Sequence, residues 1–437
     1  MSLLLIGCCV LLLVLLISWV KVNPFLAFLV VSLLAGGLLG LPLTDVAKSV
    51  QKGIGDTLGS LVAVIALGAM LGKLVAESGA AQRIANVMMG LFGQRYIQWG
   101  LVCTGFIIGI PLFYNVGFVL MVPLIFSVVY QYRLPAVYLG LPMLASLSVA
   151  HGFLPPHPSP AALVAQFGAN MGLTLLYGLA IAIPTIILAG PVFAQTLKGI
   201  RSQPLDTFAG KTRPVDELPG ADNSFLTALL PVVLLALTTL LKLGFPASPS
   251  IQQATAFVGD PGVVMLISVA VATVSLGLAN GRSVPQVMRV YEDAAKDVAM
   301  ILLIIAGAGA LKQVLADSGI SQELATRMQT WSMPPLVLGW LIAAIIRVCL
   351  GSATVAGLTA AGIIAPVVAQ QHVDPNLMVI AIGAGSLMFS HVNDPGFWLF
   401  KEYFNLSLKD TIRSWSLMET IVAVVGLAGV LLFNLVL

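Results

Sequence analysis

The residues of this chain that could do polar chemistry sit where long apolar runs are interrupted. The first interruption is His151-Gly152-Phe153-Leu154-Pro155-Pro156-His157-Pro158-Ser159-Pro160, with four prolines in ten residues. Proline removes a backbone donor and clashes with the preceding turn, so no continuous helix passes through this stretch. The second is Ser390-His391-Val392-Asn393-Asp394-Pro395-Gly396. Two others are Pro111 to Gly117, which carries Tyr114 and Asn115, and Gly351 to Gly357, which carries Ser352 and Thr354. Between apolar walls, freed N–H and C=O groups are tolerated only inside protein or along a wet cavity. Half-helix N-termini at such breaks offer unpaired N–H groups and a positive dipole end, which suits an anionic solute.

Each of these side chains has a working role and a plainer one. An intramembrane carboxylate marks a functional position by default, so Asp394 is a candidate to carry a proton or meet the solute. Its plainer role is to cap a short helix starting near Pro395. Asn393 orients that carboxylate or donates to the solute. His151 and His391 can donate to a solute hydroxyl or carry a proton, or else tie down broken backbone. His157 is held rigidly between Pro156 and Pro158. It forms no metal site with His151, because no third ligand lies nearby. Arg347, deep in an apolar run, pairs with Asp394, attracts a carboxylate, or snorkels to the surface. Ser352 and Thr354 face a ligand or bond their own backbone. Lys73 and Lys312 read as snorkelling, and Glu77 and Asp317, each followed by Ser-Gly, as helix stops.

The elements that must position these residues follow from composition. Of 437 residues, 59% are hydrophobic and 9% charged. A soluble domain is about 25% charged. The expected class is an all-α polytopic membrane protein, with the lipid bilayer as its partner. Continuous rather than alternating apolar segments exclude a barrel. The basic residues are scattered, so no nucleic acid is implied. Cys8, Cys9, Cys103 and Cys349 lie in apolar runs and read as small core residues. The run Leu3 to Val20 reads as a retained first helix. An intramembrane enzyme built on His151, His157 and Asp394 is a poor fit, because such an enzyme has no use for two copies of one unit.

Those copies are visible on comparing the halves. Met70 to Ala85 aligns with Ala310 to Ala325, and Gly79 falls on Gly319. The same shift of 240 residues carries Gly117 to Gly357, His151 to His391 and Pro155 to Pro395. The loops at 197–224 and 282–296 hold Lys and Arg, whereas 244–261 holds none. The positive-inside rule puts the first two in the cytoplasm and the third outside. The loops at 77–96 and 317–334 then lie on opposite sides, so the repeats are expected to be inverted. The expected division is 1–50, N-terminal scaffold helices, and 51–196, a first repeat with hairpin 97–130 and broken helix 137–170. Next come 197–224, a cytoplasmic linker, and 225–281, further scaffold helices. The last unit is 282–437, a second repeat with hairpin 335–369 and broken helix 377–408. This amounts to about ten full crossings and two re-entrant hairpins, with both termini outside. Loops near 42–56 and 282–296 would join a mobile unit to the scaffold.

At His151 to Pro158, at Gly351-Ser352-Ala353-Thr354-Val355-Ala356, and at Ser390 to Phe400, the chain resembles the gluconate:proton symporter family. That family includes carriers for related sugar acids and for D-serine, and the likeness spans essentially the whole length. The resemblance implies membership of a wider ion-transporter superfamily with inverted repeats, paired hairpins and an elevator-type movement. It implies proton-driven uptake of a sugar-acid anion such as gluconate across the inner membrane, by a homodimer, with the proton as coupling ion and no other cofactor. The solute would sit between the two hairpin tips and the two breaks. Asn115, Ser352, Thr354 and Asn393 would hold it, and Asp394 or a histidine such as His391 would take the proton. The alternative is a D-serine or other small organic-anion carrier, driven by sodium, on the same fold. One departure stands out: relatives have Glu or Asp just before Val-Gly in the first hairpin, where this chain has Asn115. An amide cannot titrate, which moves coupling elsewhere, as to Asp394, or alters it.

Overall fold

A computed structural model describes residues 2–112, 114–200, 202, 214–245, 247–319, 333–371, 373–392 and 394–436. No strand occurs among the described residues. The helices are α1 (Ser2–Ser18), α2 (Pro24–Leu38), α3 (Leu43–Glu77), α4 (Ala80–Phe92), α5 (Ile97–Gly109) and α6 (Tyr114–Tyr132). They continue with α7 (Ala136–Phe153), α8 (Pro158–Phe167), α9 (Met171–Leu197), α10 (Ala221–Gly244), α11 (Pro249–Val258) and α12 (Pro261–Asn280). The last are α13 (Val284–Asp317), α14 (Pro335–Leu350), α15 (Ala353–Gln370), α16 (Pro375–Gly385), α17 (Pro395–Tyr403) and α18 (Leu408–Val436).

Helix starts are written locally. Asn23, Asp260 and Asp374 each cap a helix that begins on proline, accepting from N–H groups of the first turn. Ser283 and Gln286 form a reciprocal capping box at α13. The matched stops behave alike: Gly79 and Gly319 both adopt positive φ, 87° and 71°, where a side chain would be strained.

Among the described residues, six helical runs are long and apolar enough to cross a membrane, or seven if bent α3 counts as one span. One of the six, Ala136–Phe167, contains the Leu154–His157 break. Other apolar runs make shorter helices. Helix α2 has 15 residues and α5 has 13. At 1.5 Å per residue these reach only about 20 Å, short of a roughly 30 Å hydrocarbon core. Exposed Leu226, Val233, Leu237 and Leu240 on α10, and Leu432 and Leu435 on α18, form apolar outer faces suited to lipid.

The expected loops at 42–56, 77–96 and 282–296 are instead mostly helical. Residues 43–59 are the first arm of α3, which bends by 44° before Leu61. The polar residues there are the solvent face of an amphipathic helix. Asp45–Lys48 and Lys52–Asp56 pair on that face, while Val46, Ser49 and Val50 are buried. Helix α13 does the same, burying Val287, Val290, Tyr291 and Ala294.

Helices α3 and α13 pack along one another in opposite directions. Ser49 Oγ donates to Asp317 Oδ2 at 2.6 Å near one end, and Lys73 Nζ pairs with Asp297 Oδ2 at 2.6 Å near the other. Lys73 therefore does not snorkel, and Lys312 does not either: it donates to the Gln166 carbonyl at 2.7 Å. The crossing depends on glycine, since a Cβ on Gly53 would lie 2.4 Å from Gly309 O. On the same helix, a Cβ on Gly55 meets nothing within 4 Å. Gly53→Ala is expected to cost about 1–3 kcal/mol by overpacking. Gly55→Ala is expected to be neutral or to gain up to about 1 kcal/mol from helix propensity. Thermal unfolding of the two variants in detergent checks the difference.

Candidate functional site

The interruptions converge on one cavity of about 280 Å³. Tyr114 enters from the first residue of α6, and Ser148 and His151 from the end of α7. Arg347 comes from the last turn of α14, Gly351 to Thr354 from the turn into α15, and Asp394 to Gly396 from the start of α17. Trp415 and Glu419 come from α18, while Ile301 and Ile304 of α13 supply an apolar wall. Three helices, α6, α15 and α17, thus begin at the cavity, so their positive dipole ends meet there.

The local folding explains the placement. Helix α14 ends at Gly351, whose φ of 77° turns the chain back, and Ser352 then caps α15 by accepting from Val355 N. Asp394 caps α17, its Oδ1 accepting from Gly396 N at 2.9 Å. Its Oδ2 accepts from Arg347 Nη2 and from Ser390 Oγ. Trp415 Nε1 donates to that Ser390 Oγ at 2.8 Å, and Ser416 Oγ to the Ser390 carbonyl. A π-turn at Ile412–Ser416 re-aims Trp415 and Ser416 toward the break. Asp394 thus caps a helix and pairs with Arg347 at once.

Arg347 is 4% exposed, so it is buried rather than snorkelling. Its Nε and Nη1 have no partner among the described residues, and neither do Tyr114 Oη and His151 Nδ1. An unsatisfied buried polar group costs about 1–3 kcal/mol, and more when charged. Arg347, Tyr114 and His151 all line one cavity, and a guanidinium, a phenol and an imidazole are the groups that recognise an anion carrying hydroxyls.

Not every expected residue joins this set. His157 is buried with its ring Nε2 2.6 Å from Gly109 O, which braces the first break against the end of α5. It faces a separate cavity of about 20 Å³, room for little more than a water. His391 is outside the lining; its Nε2 lies 2.9 Å from Val348 O, tying the second break to the last turn of α14. Asn115 lies in the first turn of α6, with its side chain outside the described residues, and Asn393 lies outside them altogether. Thr354 lines the cavity. Glu419, Ser148, Ser390 and Trp415 were missed. Glu419 had a readable signal, as the only acid in the last apolar run.

Because Arg347 and Asp394 are buried together, removing one strands the other. Asp394→Leu alone and Arg347→Met alone are each expected to lose roughly 3–5 kcal/mol, and the double variant to recover most of it. Thermal unfolding of the three proteins in detergent provides the cycle.

Comparison with known proteins agrees with this architecture. The GntP family permease model matches residues 1–436. The chain is 49% identical over 437 residues to a high-affinity gluconate transporter of Escherichia coli (strain K12), covering 100% of both. It is 45% identical to the Gnt-II system L-idonate transporter of the same organism and 42% identical to a gluconate permease of Bacillus subtilis (strain 168), again over 100% of each chain. Two solved transporters share the fold. The Alcanivorax borkumensis YdaH transporter matches at TM-score 0.62 and 18% identity, over 94% of this chain and 97% of that one. Neisseria gonorrhoeae MtrF matches at TM-score 0.69 and 14% identity, over 95% and 96%. On the strength of a family match from end to end, this chain belongs to the GntP permease family: it is a multi-pass membrane transporter and not an enzyme.

Proposed function

We propose that this permease carries gluconate, or a sugar acid close to it, into the cell across the bacterial inner membrane together with a proton. The observation that carries the reading is the partly unsatisfied Arg347, a cavity-lining residue held by Asp394, whose Nε and Nη1 are buried without a partner among the described residues. The solute carboxylate binds the free guanidinium N–H groups and the N-terminus of α15. The hydroxyl chain reaches Tyr114, His151, Ser352 and Thr354. Relatives named for gluconate and L-idonate support this solute class. Both are hydroxylated monocarboxylates, so the site needs one strong anion contact and several exchangeable hydroxyl contacts.

An inverted-repeat arrangement fits the same reading. Helices α3 and α13 occupy matched positions in the two copies and run antiparallel, as inverted copies require. The short α5 pairs with α6, and α14 with α15, each pair joined at a tip that reaches the cavity; this favours re-entrant hairpins over double crossings. Movement of these hairpins and the broken helices against a scaffold built on α3 and α13 would expose the cavity to each side in turn, in the manner of an elevator.

Uptake of labelled gluconate into proteoliposomes tests the solute class. The expected result is saturable uptake competed by L-idonate but not by sorbitol, which lacks the carboxylate, and unaffected by exchanging sodium for choline. Competition by D-serine with sodium dependence, or no uptake of any sugar acid, would overturn it. Tyr114→Phe removes one neutral hydrogen bond and is expected to raise the half-saturation concentration roughly two- to tenfold.

A further inference from the structure

We propose that Glu419 is the proton-carrying group of the transport cycle and that Asp394 is a positioning group; this rests on the proton-coupled reading above. Glu419 is 3% exposed and lines the same cavity as Arg347. Its bonded partner among the described residues is Ser148, whose Oγ lies 2.7 and 2.9 Å from its two carboxylate oxygens. No described cation is paired with it. A hydroxyl is both donor and acceptor. Ser148 therefore serves Glu419 in either state: it donates to the carboxylate and accepts from the acid. The proton can come and go without dismantling a contact.

Asp394 is built differently. Its Oδ2 accepts from Arg347 and Ser390, and its Oδ1 accepts from Gly396 N. Protonating it would break the pair that holds Arg347 in place and loosen the cap of α17. His391 lies outside the cavity lining. The remaining groups that face Glu419 across the cavity are His151 on α7, Tyr114 on α6, Arg347 on α14 and Asp394 at the second break. From α14, Trp340 donates to Ala423 O, one turn along. From α9, Tyr177 meets Phe433, about four turns away along α18.

Coupling follows from position. An ionised Glu419 and a solute carboxylate in one small cavity repel each other. The anion therefore loads most readily when Glu419 holds a proton, and each favours the other. One proton enters on Glu419 and one anion on Arg347; both leave on the other side, and the cycle moves no net charge.

The experiment uses full-length protein in proteoliposomes and two readouts with labelled gluconate. Counterflow exchange requires binding and alternation, while accumulation under an inward proton gradient also requires coupling. For wild-type protein, one proton per anion supports about tenfold accumulation per pH unit. Glu419→Gln is expected to keep exchange, at a reduced rate that does not vary between about pH 5 and 8, and to accumulate only about onefold. Glu419→Asp is expected to remain gradient-driven with a displaced pH profile. Gradient-driven accumulation by Glu419→Gln at the wild-type level would overturn the assignment. If Gln impairs exchange as well, Glu419→Asp decides: a displaced pH profile supports the assignment and an unchanged one overturns it. Wild-type exchange with no response to the gradient would overturn proton coupling itself and this assignment with it. Absence of any wild-type exchange of gluconate would overturn the solute class instead.

Discussion

A guanidinium buried in an apolar bundle has to be answered by something, and most of this site is the answer. Arg347 has one described anionic partner, Asp394, and that partner is itself fixed by Ser390, by Trp415 acting through Ser390, and by the backbone of Gly396. The chain of contacts links the last turn of α14, the second break, the start of α17 and the π-turn of α18. All but the π-turn are helix ends or a break, with backbone groups that their own helix leaves unpaired. Bringing several ends to one cavity lets them satisfy part of each other's need.

The two halves of the chain contribute unequally to that cavity. The second supplies the ionisable groups Arg347, Asp394 and Glu419, and the capped turn into α15. The first supplies neutral groups, Tyr114 and His151, and Ser148 as the partner of Glu419. At the position that the 240-residue shift matches to Asp394, the first half has Leu154, which is buried. The matched histidines likewise diverge: His151 reaches the cavity, while His391 ties backbone at its edge. The result is a cavity with charged groups, Arg347 and Asp394, from one half of the chain and neutral polar groups, Tyr114, Ser148 and His151, from the other.

Much of this was legible in the sequence, for definite reasons. Four prolines within ten residues stop a helix wherever they occur, so the gap between Phe153 and Pro158 could be read directly. Arg347 and Asp394 were readable because charge is rare here, although pairing could not be told from snorkelling without knowing which way α14 turns. The polar stretch at 42–56 misled, because an amphipathic helix resting on a membrane protein looks like a loop when only hydropathy is read. Glu419 was missed for the opposite reason: one acid inside a long apolar run does not lower its hydropathy enough to draw notice. Its meaning depends on Ser148, 271 residues away, which only the packing of α7 against α18 reveals.

The central claim is that an anion binds beside Arg347, at the start of α15. Chemical protection at that point measures it most directly. The four native cysteines are replaced by serine, Thr354→Cys is introduced, and its alkylation by a thiol reagent is timed. The account predicts that gluconate slows the reaction, that sorbitol does not, and that Arg347→Lys in the same background abolishes the protection. Equal alkylation rates with gluconate, with sorbitol and with neither would contradict it.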